Sequence, residues 1–203
     1  MMKIPATVQT ILNKIEVNFP HFVGKSRYIH ERLYNQQAVS NNLLEHAKQY
    51  KVIEHSCWPY FQYSHNLSPP YNHGDYLIIS PYVYELASYL GAVSIALNTW
   101  YDEGGYVSWH HNADVPGRNM LFCWSETGDG VFKLHNELED KTTELNDVPG
   151  WSVKSTVFHS HASIEKYPYC WHAMATNCKR YSLAFRILDN EMSKTTLEEF
   201  QYQ

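Results

Sequence analysis

Apolar positions along this chain follow a helical period near the start and a strand period through most of the remainder. Val8, Ile11, Leu12 and Ile15 fall at i, i+3, i+4 and i+7, which predicts an amphipathic helix over 7–17 with Thr7 as its cap and Pro20 as its stop. A second short helix is expected over 40–50, opened by Ser40, with Leu43, Leu44 and Ala47 on one face. Both read as packing support for a sheet. Residues 52–81 crowd aromatics, prolines and asparagines together with few aliphatics, so they read as irregular chain, either a substrate-facing loop or an aromatic layer. A helix is expected over 81–90.

From there the period is two. Residues 92–98 alternate as a strand, Gly104-Gly105 and Pro116-Gly117 mark turns, and 119–126 is apolar enough for a central strand. Residues 127–130 form a hairpin turn into 131–135, the charged stretch 136–147 reads as a solvated excursion, and 151–158 and 181–188 supply further strands. Many short strands separated by Gly and Pro turns predict a mainly β fold of the jelly-roll kind with flanking helices.

The chain has 203 residues, 44% of them hydrophobic, which is enough for one sizeable core and short for two. The expectation is a single domain: helices and the aromatic loop over 1–91, the β core over 92–188 and a tail over 189–203. A formal charge of −5 and a pI near 6.2 give no global attraction to phosphate backbones, so nucleic acid is a possible partner that charge does not favour. Cys57, Cys123, Cys170 and Cys178 show neither a zinc spacing nor a disulfide framework. Reduced thiols, no apolar run of membrane-spanning length and no apolar segment after Met-Met-Lys-Ile-Pro predict a soluble cytoplasmic protein with no membrane partner. The oligomeric state is not legible.

The chemistry concentrates in two places. In a strand, residues i, i+2 and i+4 share a face, which puts His110, Asn112 and Asp114 on one side and Trp109, His111 and Ala113 on the other. Two histidines and one carboxylate make the facial ligand set of a non-haem Fe(II) site, with His172 arriving from a later strand as the remaining imidazole. His159 and His161 alternate on a strand end and are the other candidates for that place. Eight residues after His172, Arg180-Tyr181-Ser182 opens an apolar strand. Its buried guanidinium needs an anion, and Ser182 faces the same way and can donate to the same oxygens.

This ordered set, His110, His172, then Arg180-x-Ser182, resembles the Fe(II)- and 2-oxoglutarate-dependent dioxygenase superfamily over residues 92–188. Tyr101-x-x-Gly104 ahead of His110, and Arg180-Tyr-Ser-Leu-Ala-Phe-Arg186, resemble the AlkB-type branch. The short interval from His172 to Arg180 is closer to the prolyl-hydroxylase-like branch. The resemblance implies a double-stranded β-helix, cupin-like in form, with Fe(II) held by His110, His172 and a third ligand. It also implies 2-oxoglutarate contacts from Tyr101, Arg180, Ser182 and Arg186, with dioxygen as oxidant. Aligned without a gap, the family's metal carboxylate falls on Asn112, and Asp114 stands two residues later; both remain candidates. The expected reaction is hydroxylation of a C–H bond of a protein side chain or small molecule, with succinate and CO2 released. Nucleic-acid base oxidation, non-haem halogenation and a non-catalytic jelly-roll binding module are the alternatives. Trp109 or Tyr106 is expected to wall the pocket.

Overall fold

Strict alternation in the last strand sets the layers. Tyr181, Leu183, Phe185 and Ile187 are buried in an apolar cluster on one face, while Arg180, Ser182, Ala184 and Arg186 line a cavity on the other. This strand, Arg180–Ile187 (β10), pairs with Ala92–Tyr101 (β3) and Gly117–Ser125 (β5); β3 also takes His65–Asn66 (β2), and β5 takes Gly150–Phe158 (β8). The facing sheet runs Gln62–Tyr63 (β1), Tyr106–His110 (β4), Cys170–Thr176 (β9), Gly130–Asn136 (β6) and Lys141–Asn146 (β7). All of the pairings are antiparallel. The chain passes from sheet to sheet, β3 to β4 to β5 to β6 and β8 to β9 to β10, which is a double-stranded β-helix, or jelly roll. The computed structural model describes residues 2–19, 35–49, 62–63, 65–66, 73–113, 116–160, 163, 166–188 and 191–200.

Helices cover the outside of both sheets. Ala6–Glu16 (α1) buries Val8, Ile11, Leu12 and Ile15 against the first sheet, together with Val83, Leu86 and Leu90 at the end of His73–Tyr89 (α4) and Phe200 beyond Glu191–Glu198 (α5). Each such side chain contributes roughly 1.5–3 kcal/mol by leaving water. Asn35–Ala38 (α2) and Asn41–Lys48 (α3) pack Ala38, Leu44 and Ala47 on Tyr106, Trp109 and Trp171 of the second sheet. Ser40 caps α3 as expected, its hydroxyl oxygen accepting from Leu43 N–H at 3.3 Å.

Several expectations change. The residue before α1 is Pro5, with no side-chain cap, and Thr7 lies inside the helix. Helix α4 begins eight residues earlier than predicted and continues through Pro81, taking up chain that its prolines and turn residues marked as irregular. In that same region β1 and β2 extend the two sheets. The charged stretch 136–147 is no excursion: β7 pairs with β6 from Val131↔Asn146 to Asn136↔Lys141. It is a polar edge strand, exposed at most positions, so no apolar alternation announces it. Residues 52–61, with the Trp58-Pro59 segment, lie outside the described residues. Among the described residues no helix is long and apolar enough to cross a membrane.

Candidate functional site

The side chains between the sheets enclose a cavity of ≈ 430 Å³. Strand β9 alternates as β10 does: Trp171, Ala173 and Ala175 pack under α2 and α3, while His172 and Met174 turn inward. Strand β4 reaches the same end by a different device. Its register with β9 runs Val107↔Met174 and then His110↔His172, three steps on one strand against two on the other, so β4 carries one extra residue. Such a bulge re-aims side chains. It lets Tyr106 and Trp109 both pack outward, three residues apart, while Val107 and His110 face the cavity.

The two imidazoles face each other with ring centroids 4.1 Å apart. His110 Nδ1 is 2.8 Å from the Ser108 carbonyl and His172 Nδ1 is 2.9 Å from the Cys170 carbonyl. A carbonyl can only accept, so in each ring Nδ1 carries a proton, and in the neutral form of either ring Nε2 is left with its lone pair. Burial, and then the neighbouring His110, hold the His172 imidazole well below its usual range, which keeps it neutral at pH 7. Phe158 stacks on it at 4.9 Å.

Strand β4 ends at His110, so strand alternation does not govern residues 111–113. Asn112 nevertheless lines the cavity, its Nδ2 3.3 Å from His172 Nε2. Half a turn of that amide brings Oδ1 to the same place. Asp114 and His161 lie outside the described residues. His159 stacks on Tyr167 at 4.2 Å and does not line the cavity. Trp109 and Tyr106, expected as pocket walls, belong to the outer cluster, and the Trp109 indole donates to the Ser40 carbonyl at 2.9 Å. The described residues hold no cluster of three or more His, Cys, Asp or Glu side chains arranged for a metal. They offer instead two imidazole nitrogens and one carboxamide.

At the other end stands Arg180, 1% exposed. Its required anion comes from the chain itself: Nε donates to Asp147 Oδ2 at 2.6 Å, and Lys154 Nζ lies 3.0 Å from Oδ1 of the same carboxylate. Nη1 donates to Ser182 Oγ and Nη2 to Cys123 Sγ at 3.0 Å. Three of five guanidinium protons are thereby used. Ser182 accepts from the arginine, so its own proton remains to donate. Tyr101 lies beside the guanidinium, 5.7 Å from ring centroid to Cζ. Burial pushes the Asp147 carboxyl up, but Arg180 and Lys154 outweigh it and hold the group below the usual carboxylate value. Arg180 and Arg186 line the cavity and no acid does among the described residues; with Lys154, these cations outnumber Asp147, the carboxylate that meets Arg180, so the interior favours anions.

Sequence pattern alone does not bring out Asp147, Lys154 or Cys123 as members of the site. Asp147 closes a run of charges that looks solvated, and the only signal for it is that a buried arginine must be paired.

No family model matches the chain, and no curated protein matches it. Among solved structures it is similar to a full-length Neurospora crassa protein, T7H, in complex with alpha-KG, with TM-score 0.36 and 9% identity over 96% of this chain and 78% of that one. A dioxygenase for auxin oxidation from Arabidopsis thaliana, in a 2-oxoglutarate complex, gives TM-score 0.36 and 13% identity over 89% and 76%. A Pseudomonas putida prolyl-4-hydroxylase gives 0.34 and 9% over 88% and 98%. The chain also matches a cysteine peptidase from Thevetia peruviana latex and a cupin-superfamily protein, spanning 48% and 64% of their lengths. Likenesses with TM-scores this low leave the functional reading to the chemistry of the cavity.

Proposed function

We propose that the protein is an oxygenase that uses Fe(II) and 2-oxoglutarate to hydroxylate a C–H bond of a small molecule or protein side chain. The observation that carries this is the pair His110 and His172, each fixed through Nδ1 so that Nε2 points into a cavity whose far end holds a buried arginine and serine. His110 and His172 would hold the metal. Among the described residues Asn112 would complete the set through its amide oxygen, and Asp114 is the carboxylate candidate next along the chain. Two imidazoles with an oxygen donor suit Fe(II). When bound, iron would supply dioxygen activation coupled to conversion of 2-oxoglutarate to succinate and CO2.

The chain's own groups bind, orient and exclude water. Asp147 fixes the Arg180 fork, which offers its two remaining protons to the distal carboxylate of 2-oxoglutarate; the Ser182 hydroxyl and Tyr101 add donors beside it. Phe158, Val107 and Phe132 keep the imidazole end dry. The net charge of −5 supports a small-molecule or protein substrate over a nucleic acid.

One observation favours a second reading. Asn112 is neutral at the place of the family's carboxylate, as in a jelly-roll module that has ceased to bind metal. Equilibrium dialysis against Fe(II) under argon separates the two. The oxygenase binds one iron per chain and loses it in His172→Ala and His110→Ala, while a binding module takes up none.

A further inference from the structure

The two arginines in the cavity are not equivalent. Arg180 has its charge met by Asp147 and donates from all three nitrogens. Among the described residues Arg186 Nε is buried with no hydrogen-bond partner, and no carboxylate there pairs with this side chain. A buried guanidinium N–H left unpaired is costly, and native chains seldom retain one with no use for it. Nε–H and the adjacent Nη–H form the side of the fork that meets a carboxylate with two parallel bonds.

The surroundings suit a ligand with one charged end. Arg186 stands four residues past Ser182 on β10, roughly 13 Å along the strand. Its Cγ and Cδ run past Gly117, where a side chain's Cβ would lie 3.4 Å from both. Its cross-strand neighbour Asn119 is buried and held to the Gly117 carbonyl, which keeps the guanidinium's polar company at this end. Leu97 and Phe158 add apolar lining to the same cavity, Phe158 stacked on His172.

We propose that Arg186 anchors a second anion subsite in this cavity, which takes the carboxylate of an apolar carboxylic acid, the prime substrate, while 2-oxoglutarate is held at Arg180. The inference rests on the oxygenase reading. It departs from the resemblance, which gives both arginines to the co-substrate. The unmet Nε and the single charge select a monoanion, and the apolar walls select its body.

The test is calorimetric titration of the full chain, without oxygen, using hexanoate and hexanamide as probes, with and without saturating Fe(II) and 2-oxoglutarate. Hexanoate binds at least about tenfold tighter than its amide, as expected for a charged hydrogen-bonded contact, and does so with 2-oxoglutarate in place. Arg186→Met abolishes that preference and leaves 2-oxoglutarate affinity unchanged, and Arg186→Lys retains part of it. The subsite is overturned if acid and amide bind alike, if hexanoate displaces 2-oxoglutarate, or if Arg186→Met weakens 2-oxoglutarate as Arg180→Ala does. The comparison of acid with amide on the unsubstituted protein needs no variant to fold. If 2-oxoglutarate does not bind at all while the preference persists and depends on Arg186, the oxygenase reading fails and the anion subsite stands.

Discussion

Replacing Asp147 by asparagine keeps the shape of the side chain and removes one charge from a group whose side chain has no solvent exposure. Its carboxylate faces Arg180 at 2.6 Å and Lys154 at 3.0 Å. At an effective dielectric constant of about 20 the attraction to Arg180 alone is about 6 kcal/mol gross, most of it offset by the desolvation of both ions. The variant keeps the desolvation cost of the buried cation and loses the attraction that offset it. An amide oxygen can still accept from Arg180 Nε, but the amide nitrogen then confronts the Lys154 ammonium, donor against donor. Breaking a buried pair from one side costs about 3–5 kcal/mol. For a chain of 203 residues that lowers Tm by roughly 6–20 °C. Urea denaturation at pH 7 measures it as a fall in midpoint at constant slope.

The pH dependence carries the same signature. The folded Asp147 carboxyl is held below its ordinary value, so its contribution is complete above the unfolded value near 3.8 and fades as pH falls through the lower folded one. The wild type therefore loses stability on acidification in that window, and Asp147→Asn lacks this component. A loss under about 1 kcal/mol at pH 7, or an acid slope identical in both proteins, would mean that the Asp147–Arg180 pair does not stabilise the fold.

The same contacts predict three further outcomes. Gly130→Ala places a Cβ 2.5 Å from Asp147 Oδ2 and should cost about 1–3 kcal/mol in urea melts by displacing the carboxylate from Arg180. Ser40→Ala removes the acceptor for Leu43 N–H and should cost about 1 kcal/mol while leaving Fe(II) uptake unchanged, since α3 packs on the outer face of its sheet. Asn112→Asp puts an anionic oxygen beside His172 and should tighten Fe(II) in equilibrium dialysis; unchanged affinity would remove Asn112 from the metal's surroundings.

How far the sequence can be read depends on whether a residue's neighbours are local. The α1 stripe and the alternation of β10 are legible because burial on one face writes a period into the chain. The same alternation places Arg180, Ser182 and Arg186 on one side together. Helix α4 reads too short because Pro81 and the turn residues before it outweigh the pattern locally, and β7 escapes notice because a polar edge strand has no period to read. The inward aim of His110 depends on an extra residue in β4, which only the pairing with β9 reveals. Asp147 pairs with a residue 33 positions away, and nothing near it in the chain signals that partnership.

The most direct measurement is an anaerobic titration of the protein with Fe(II) and then 2-oxoglutarate, followed by visible absorption. The expected result is a weak charge-transfer band of the chelated co-substrate in the wild type, absent in His172→Ala and shifted to far higher 2-oxoglutarate concentration in Arg180→Ala. Iron uptake with no band at any 2-oxoglutarate concentration would contradict it and leave a cupin-like metal protein that does not use this co-substrate.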